Sequence, residues 1–184
     1  MKGFLDACVL YPTVMREVLL GAAAAGLFTP LWSPRVLEEW ARATRKIGPE
    51  GETIARAEIA ALRRDWPKAE VQPAEAVERR LWLPDPADIH VLAAAIAGSA
   101  DVIVTVNARD FPRNTLAEEG LARVDPDALL TGFASHHPDA ILRVGQAVRD
   151  RARALSGEDW QIRALMRKAR LPRLGKTLAR LEDG

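Results

Sequence analysis

Leu83-Pro84-Asp85-Pro86-Ala87-Asp88-Ile89-His90 opens a stretch that runs on to Val102-Ile103-Val104-Thr105-Val106-Asn107-Ala108-Arg109-Asp110-Phe111. Its texture is an acidic loop, an apolar helix, a buried strand and a second acidic loop. Pro84 and Pro86 block regular strand pairing. Asp85 stands where a helix N-cap would, with Pro86 at the favoured first helical position. Val91 to Ala97 is apolar on every side, so this helix is expected to be packed rather than half wet, and Gly98 ends it. Val102 to Val106 is β-branched throughout, the pattern of a parallel strand covered on both faces. Parallel α/β sheets bind ligands at the carboxyl ends of their strands. Asn107 and Asp110 fall at such an end, and Asp88 begins the helix that leads into the strand.

Upstream, residues 2–6 read as a first strand ending on Asp6, and Pro12 opens a helix through Ala25 that Gly26 closes. Leu27 to Trp32 is a second strand candidate. Ser33-Pro34 combines an N-cap with proline at the first helical turn. In the helix that follows, Val36, Leu37, Trp40, Ala41, Ala43 and Ile47 form one apolar stripe. Glu39 lies on its edge and could reach inward, whereas Glu38 lies nearly opposite and faces water. Residues 49–66 read as a further helix, 70–72 as a short edge strand, and 74–80 as a connection. Downstream, Leu116 to Gly120 makes about one helical turn, and Ala122-Arg123-Val124 is a last strand. From Asp125-Pro126 the texture changes. Residues 126–135, 138–155, 158–170 and 173–181 read as short helices separated by His137-Pro138, Ser156-Gly157 and Leu171-Pro172. The expected division is an α/β domain over residues 1–127 and an all-helical extension over 128–184.

A chain of 184 residues, 48% hydrophobic and 28% charged, suits one α/β domain of usual size with a small appendage. No apolar run reaches the ~18 residues that a membrane span requires, and the N-terminus lacks a secretory pattern. One cysteine, Cys8, excludes an internal disulfide framework and a multi-cysteine zinc site, and fits a reducing cytoplasm. Charge is unevenly spread. Residues 1–127 hold 15 Lys/Arg and 19 Asp/Glu, giving −4, while residues 128–184 hold 11 and 6, giving +5. A basic tail on an acidic body suits an anionic partner, and equally a solvated helical face.

Four acids stand out: Asp6, Glu39, Asp88 and Asp110, with Asn107 and Asp85 nearby. Each comes from an element end or a helix rim, and a parallel sheet would bring several of them to one edge. Packed carboxylates repel and raise one another's pKa unless a positive charge sits between them. Arg109 and Arg16 are the available side-chain candidates, and a divalent hard cation is the more economical one. Oxygen ligands alone favour Mg²⁺ or Mn²⁺. Such an ion can activate water and stabilise the oxyanions of an in-line phosphoester displacement, chemistry that needs no covalent nucleophile. Other motifs fail. Gly21 to Gly26 has phosphate-loop glycine spacing, but Leu27-Phe28 replaces the required Lys-Ser/Thr, and no G-x-G-x-x-G follows a strand. Adjacent His136 and His137 read as surface residues, His90 as structural, and Cys8 as a small buried hydrophobe. The five tryptophans lack the basic-aromatic interleaving of a single-strand binding surface, so they read as core or interface.

At Leu5-Asp6-Ala7-Cys8-Val9-Leu10-Tyr11-Pro12, at Val36-Leu37-Glu38-Glu39-Trp40 and across Leu83–Pro112, the chain resembles the PIN-domain ribonucleases, the family of the VapC-type toxins. The resemblance covers roughly residues 2–127. It implies a three-layer α/β/α fold around a parallel sheet and a Mg²⁺- or Mn²⁺-dependent endoribonuclease acting on single-stranded or structured RNA. By position, Asp6, Glu39, Asp88 and Asp110 match the family's acidic residues, with Asp6, Asp88 and Asp110 on the metal. Glu39 then completes the pocket or orients the attacking water. Many members carry aspartate where this chain has Asn107. Asn107 is expected to hydrogen-bond a water on the metal or a phosphate, Asp85 to cap its helix first and support the outer shell second, and Arg109 and Arg113 to hold the RNA backbone. The implied role is the toxin of a toxin–antitoxin pair, with RNA, a cognate antitoxin and a second copy as candidate partners. The rival reading is a catalytically inactive PIN-fold module that binds RNA or protein. A response-regulator phosphotransfer domain ranks third, because no lysine follows Val106 or Val124.

Overall fold

Four strands, β1 (Lys2–Leu5), β2 (Thr29–Leu31), β3 (Val102–Val104) and β4 (Ala122–Val124), form one wholly parallel sheet in the order β2-β1-β3-β4. The computed structural model describes residues 1–73 and 75–183. Within it the chain divides into two units, one made of residues 1–11 and 29–124 and the other of 12–28 and 125–184. After β1 the chain turns through α1 (Ala7–Leu10) and enters α2 (Thr13–Ala24), which belongs to the second unit.

The first unit is an α/β/α domain. Its sheet carries α1 together with α3 (Pro34–Ala43), α4 (Gly51–Asp65), α5 (Glu75–Arg80), α6 (Ile89–Ala97) and α7 (Arg113–Glu118). Phe4, Leu5, Ile103 and Val104 are fully buried at its centre, as two covered faces require. Ser33 caps α3 by accepting from the Val36 amide at 3.2 Å, and Pro34 follows it in the first turn, as the sequence predicts. Helix α6 is buried from His90 through Ala95, and Ser99 turns the chain into β3 with a left-handed φ of 51°.

Several local expectations change. The strand expected over 102–106 stops at Val104: the Thr105 amide still donates to the Val124 carbonyl at 3.1 Å, but Val106 is exposed and its amide turns to the Cys8 sulfur. The edge strand at 70–72 reduces to one parallel bridge between Trp32 and Glu70. Residues 75–80 of the expected connection are helix α5. This helix buries no residue and so carries no apolar periodicity to read; Ala74, the first residue of that connection, lies outside the described residues.

The second unit joins α2 to α8 (Pro126–His136), α9 (Pro138–Ser156), α10 (Ile162–Lys168) and α11 (Pro172–Asp183); Gly184 lies outside the described residues. Its helices cross at glycines. A Cβ on Gly21 of α2 would lie 2.6 Å from Val144 of α9, and one on Gly145 of α9 would lie 2.6 Å from Leu178 of α11. Gly175 of α11 faces the α10 backbone, where a Cβ would sit 3.1 Å from the Arg163 carbonyl oxygen. Helix α2 thus packs with helices more than a hundred residues downstream, so this unit is wider than the tail from residue 128. Buried Asp127, 5% exposed, accepts from the amides of Arg173 and Leu174 at 2.9 Å each and caps α11. No helix among the described residues is long and apolar enough to cross a membrane.

Candidate metal centre

The parallel register fixes where the acids go. Leu5 pairs with Val104, so the next residues, Asp6 and Thr105, leave the sheet side by side at its carboxyl edge. The Asp6 amide donates to the Val104 carbonyl at 3.2 Å, and Asp6 itself is 7% exposed. Its Oδ2 accepts from the Thr105 hydroxyl at 2.7 Å and from the Cys8 thiol at 3.0 Å. Thr105 Oγ1 in turn accepts from the Asn107 amide at 3.0 Å, so one hydroxyl ties the end of β1 to the loop after β3. Cys8 is therefore a polar partner of Asp6 rather than a plain hydrophobe. Burial first, and then the charge and hydrogen bond of Asp6, push its thiol up to about 12. It stays protonated near neutrality, which removes it as a nucleophile.

Asp85, Asp88 and Asp110 are brought together, each offering a carboxylate oxygen within 4.8 Å of the others. Asp85 and Asp88 come from the short turn ahead of α6, where Asp85 caps the turn by accepting from the Ala87 amide at 2.9 Å. Asp110 comes from the loop after β3, and Asn107 Nδ2 donates to its Oδ2. None of the three forms an ion pair among the described residues. Asp88 bears the consequence: burial, then the charges of Asp6, Asp85 and Asp110, raise its pKa to about 6. Asp6 lies outside the tight group of three, yet its charge is the largest single electrostatic contributor to that shift. The donors are all oxygen, they converge, and among the described residues only His90 eases the charge on Asp88. That set fits a hard divalent ion.

Glu39 also stands apart from the three. Its Oε1 lies 2.9 Å from His90 Nε2 and 3.5 Å from Arg35 Nε. The histidine contact is one of proximity: His90 is 2% exposed and neither ring nitrogen makes an aligned hydrogen bond. Because His90 follows Asp88 by two residues, it sets Glu39 of α3 against the start of α6. Glu38 does not simply face water, since Arg56 of α4 and Arg42 bind it and lower its pKa to about 2. Beside Glu39 lies a depression of about 610 Å³ lined by Pro34, Arg35, Glu38, Glu39, Arg42 and Arg63. Arg109 and Arg113 flank Asp110, are exposed, and make no ion pair among the described residues.

Two participants escape a reading by sequence. Thr105 sits inside a β-branched run and Cys8 inside an apolar one, so each looks like core. The cue for Cys8 was its position two residues after a strand-end aspartate; for Thr105 it was its place at the end of a parallel strand.

A family model for the PIN domain matches residues 2–109, more than half of the chain. No curated protein and no solved structure gives a match. With its parallel sheet and its acids gathered at the carboxyl edge, the chain belongs to the PIN domain family.

Proposed function

We propose that this chain is a Mg²⁺- or Mn²⁺-dependent endoribonuclease and the toxin of a toxin–antitoxin pair, working in a reducing cytoplasm. Family membership supports the nuclease class. One observation carries the metal dependence: three carboxylates converge, and none of them forms an ion pair among the described residues. In this reading Asp88, Asp110 and Asp85 hold the ion, with Asp6 completing the set through the oxygen that Thr105 and Cys8 leave free. When bound, the ion supplies Lewis acidity toward a phosphodiester and a lower pKa for an attacking water.

The chain's own residues do the remaining work. Glu39, held beside His90, orients the attacking water and accepts its proton. Asn107 positions Asp110 and offers a donor toward a phosphate oxygen. Arg109 and Arg113 hold the RNA backbone on either side of the acidic loop. Asp85 then serves twice, as cap and as ligand.

The test is cleavage of a labelled single-stranded RNA by the purified chain in EDTA, in Mg²⁺ and in Mn²⁺. Cleavage is expected only with a divalent ion, and Asp110→Asn should slow it by about a hundred-fold or more, the scale of losing one preorganised electrostatic contact. Cleavage in EDTA, or an Asp110→Asn variant as fast as the parent, overturns the assignment. RNA binding without cleavage under any ion gives the chain to the inactive-module reading.

A further inference from the structure

The second unit carries a charge pattern found nowhere else in the chain. Residues 162–181 hold seven lysines and arginines and no aspartate or glutamate. Elsewhere arginines are mostly neutralised: Arg56 by Glu38 and Glu52, Arg80 by Glu119, Arg149 by Glu182. Along α10 and α11 this stops. Arg163 and Arg167 stand one turn apart on α10; Arg173, Lys176 and Arg180 repeat at three and seven residues on α11. All five are exposed, and none forms an ion pair among the described residues. The opposite sides are apolar and buried, through Ile162, Leu165 and Met166 on α10 and Leu174 and Leu178 on α11. The inward faces fold the hairpin, and the outward faces are left to carry charge.

Resting on the nuclease reading above, we propose that this outward face of α10 and α11 binds the phosphate backbone of RNA. Unpaired like charges at one-turn spacing repel, so the folded hairpin bears a cost that a polyanion would relieve. Five of the seven cations are arginine, whose planar fork suits phosphate oxygens. The N-terminus of α11 is not the attracting group, because the Asp127 carboxylate already fills it. An acidic protein fits less well. Protein interfaces need an apolar centre, and among the described residues none of the exposed large hydrophobic side chains lies on α10 or α11. Nor is there a stacking platform, since Lys168 lies 4.6 Å from the Trp160 ring and covers a face of it. Recognition would therefore go through the backbone, without base preference and with steep salt dependence.

The experiment measures binding of a labelled single-stranded RNA to the full chain in EDTA, across a salt series. The variant carries Arg163→Gln, Arg167→Gln, Arg173→Gln, Lys176→Gln and Arg180→Gln together. Its affinity should fall by about thirty-fold or more, and the slope of log affinity against log salt should flatten by about 3.5, at ~0.7 per lost contact. The α11 triple alone should fall between parent and quintuple variant. Exposed sites like these cost little stability, and circular dichroism checks the fold. Unchanged affinity and slope overturn the proposal, as does polyglutamate binding more tightly than RNA at matched charge and salt. Because EDTA silences cleavage, the two readings fail separately. RNA bound through this face by a chain that never cleaves ends the nuclease reading alone; a cleaving chain whose RNA binding ignores the quintuple variant ends this one.

Discussion

Asp88→Asn should make the metal-free protein more stable at pH 7 and at the same time abolish its response to Mn²⁺. The folded-state pKa of Asp88 is about 6, raised from 3.8 by burial and by Asp6, Asp85 and Asp110. Folding therefore favours the neutral form of this group. Its stabilising contribution is complete below about 4 and is lost as pH rises through about 6. At neutral pH the charged carboxylate strains the metal-free fold, and asparagine removes that strain. Because the side chain is partly solvated, the gain should be about 1 kcal/mol rather than the full value of the shift, or some 2–4 °C in melting temperature. At pH 4 parent and variant should melt together. Manganese reverses the ranking: at a hundred-fold excess over its dissociation constant it should stabilise the parent by about 2.7 kcal/mol and the variant hardly at all. RNA cleavage should fall with the lost response. Thermal melts at two pH values, with and without Mn²⁺, check all of this. A variant with an unchanged metal-free melt and an intact Mn²⁺ response would remove Asp88 from the site.

The second large effect belongs to the helical unit. Asp127→Ala should loosen α11 at a cost of about 3 kcal/mol. Two backbone amides, Arg173 and Leu174, donate to its buried carboxylate from 46 and 47 residues away. Charge-assisted bonds of this kind are the stronger class, and alanine leaves both donors without this acceptor, the Leu174 amide buried and the Arg173 amide partly so. Asparagine restores one acceptor and sets a donor against the other amide, so Asp127→Asn should recover about half at most. Hydrogen exchange reads the outcome directly, because amides of α11 should lose protection before those of the sheet. Undiminished protection across α11 would show that its apolar face alone holds it in place.

Elements with local chemistry were legible in the sequence. Ser33-Pro34 starts α3 as N-cap and first-turn proline dictate, and the change of texture at Asp125-Pro126 is where α8 begins. The β-branched run found β3, and strand-end logic put Asp6, Asp88 and Asp110 near one edge. The misses required distance or polarity to see. Helix α5 buries no residue and has no periodic apolar face. The packing of α2 with the C-terminal helices depends on Gly21 meeting Val144, a contact no local pattern announces. Asp85 reads correctly as a cap from its neighbours, and its place beside Asp88 and Asp110 depends on where the β3 loop returns. Thr105 lies just past the strand end, where its hydroxyl binds Asp6 and the Asn107 amide, partners that β-propensity does not encode.

The sharing of one divalent ion by these carboxylates is tested most directly by anomalous scattering from crystals grown with Mn²⁺ near pH 7. A manganese peak is expected among Asp85, Asp88 and Asp110, with carboxylate oxygens at about 2.1 Å. Density without such a peak, in which each carboxylate instead meets an arginine of its own, would contradict it.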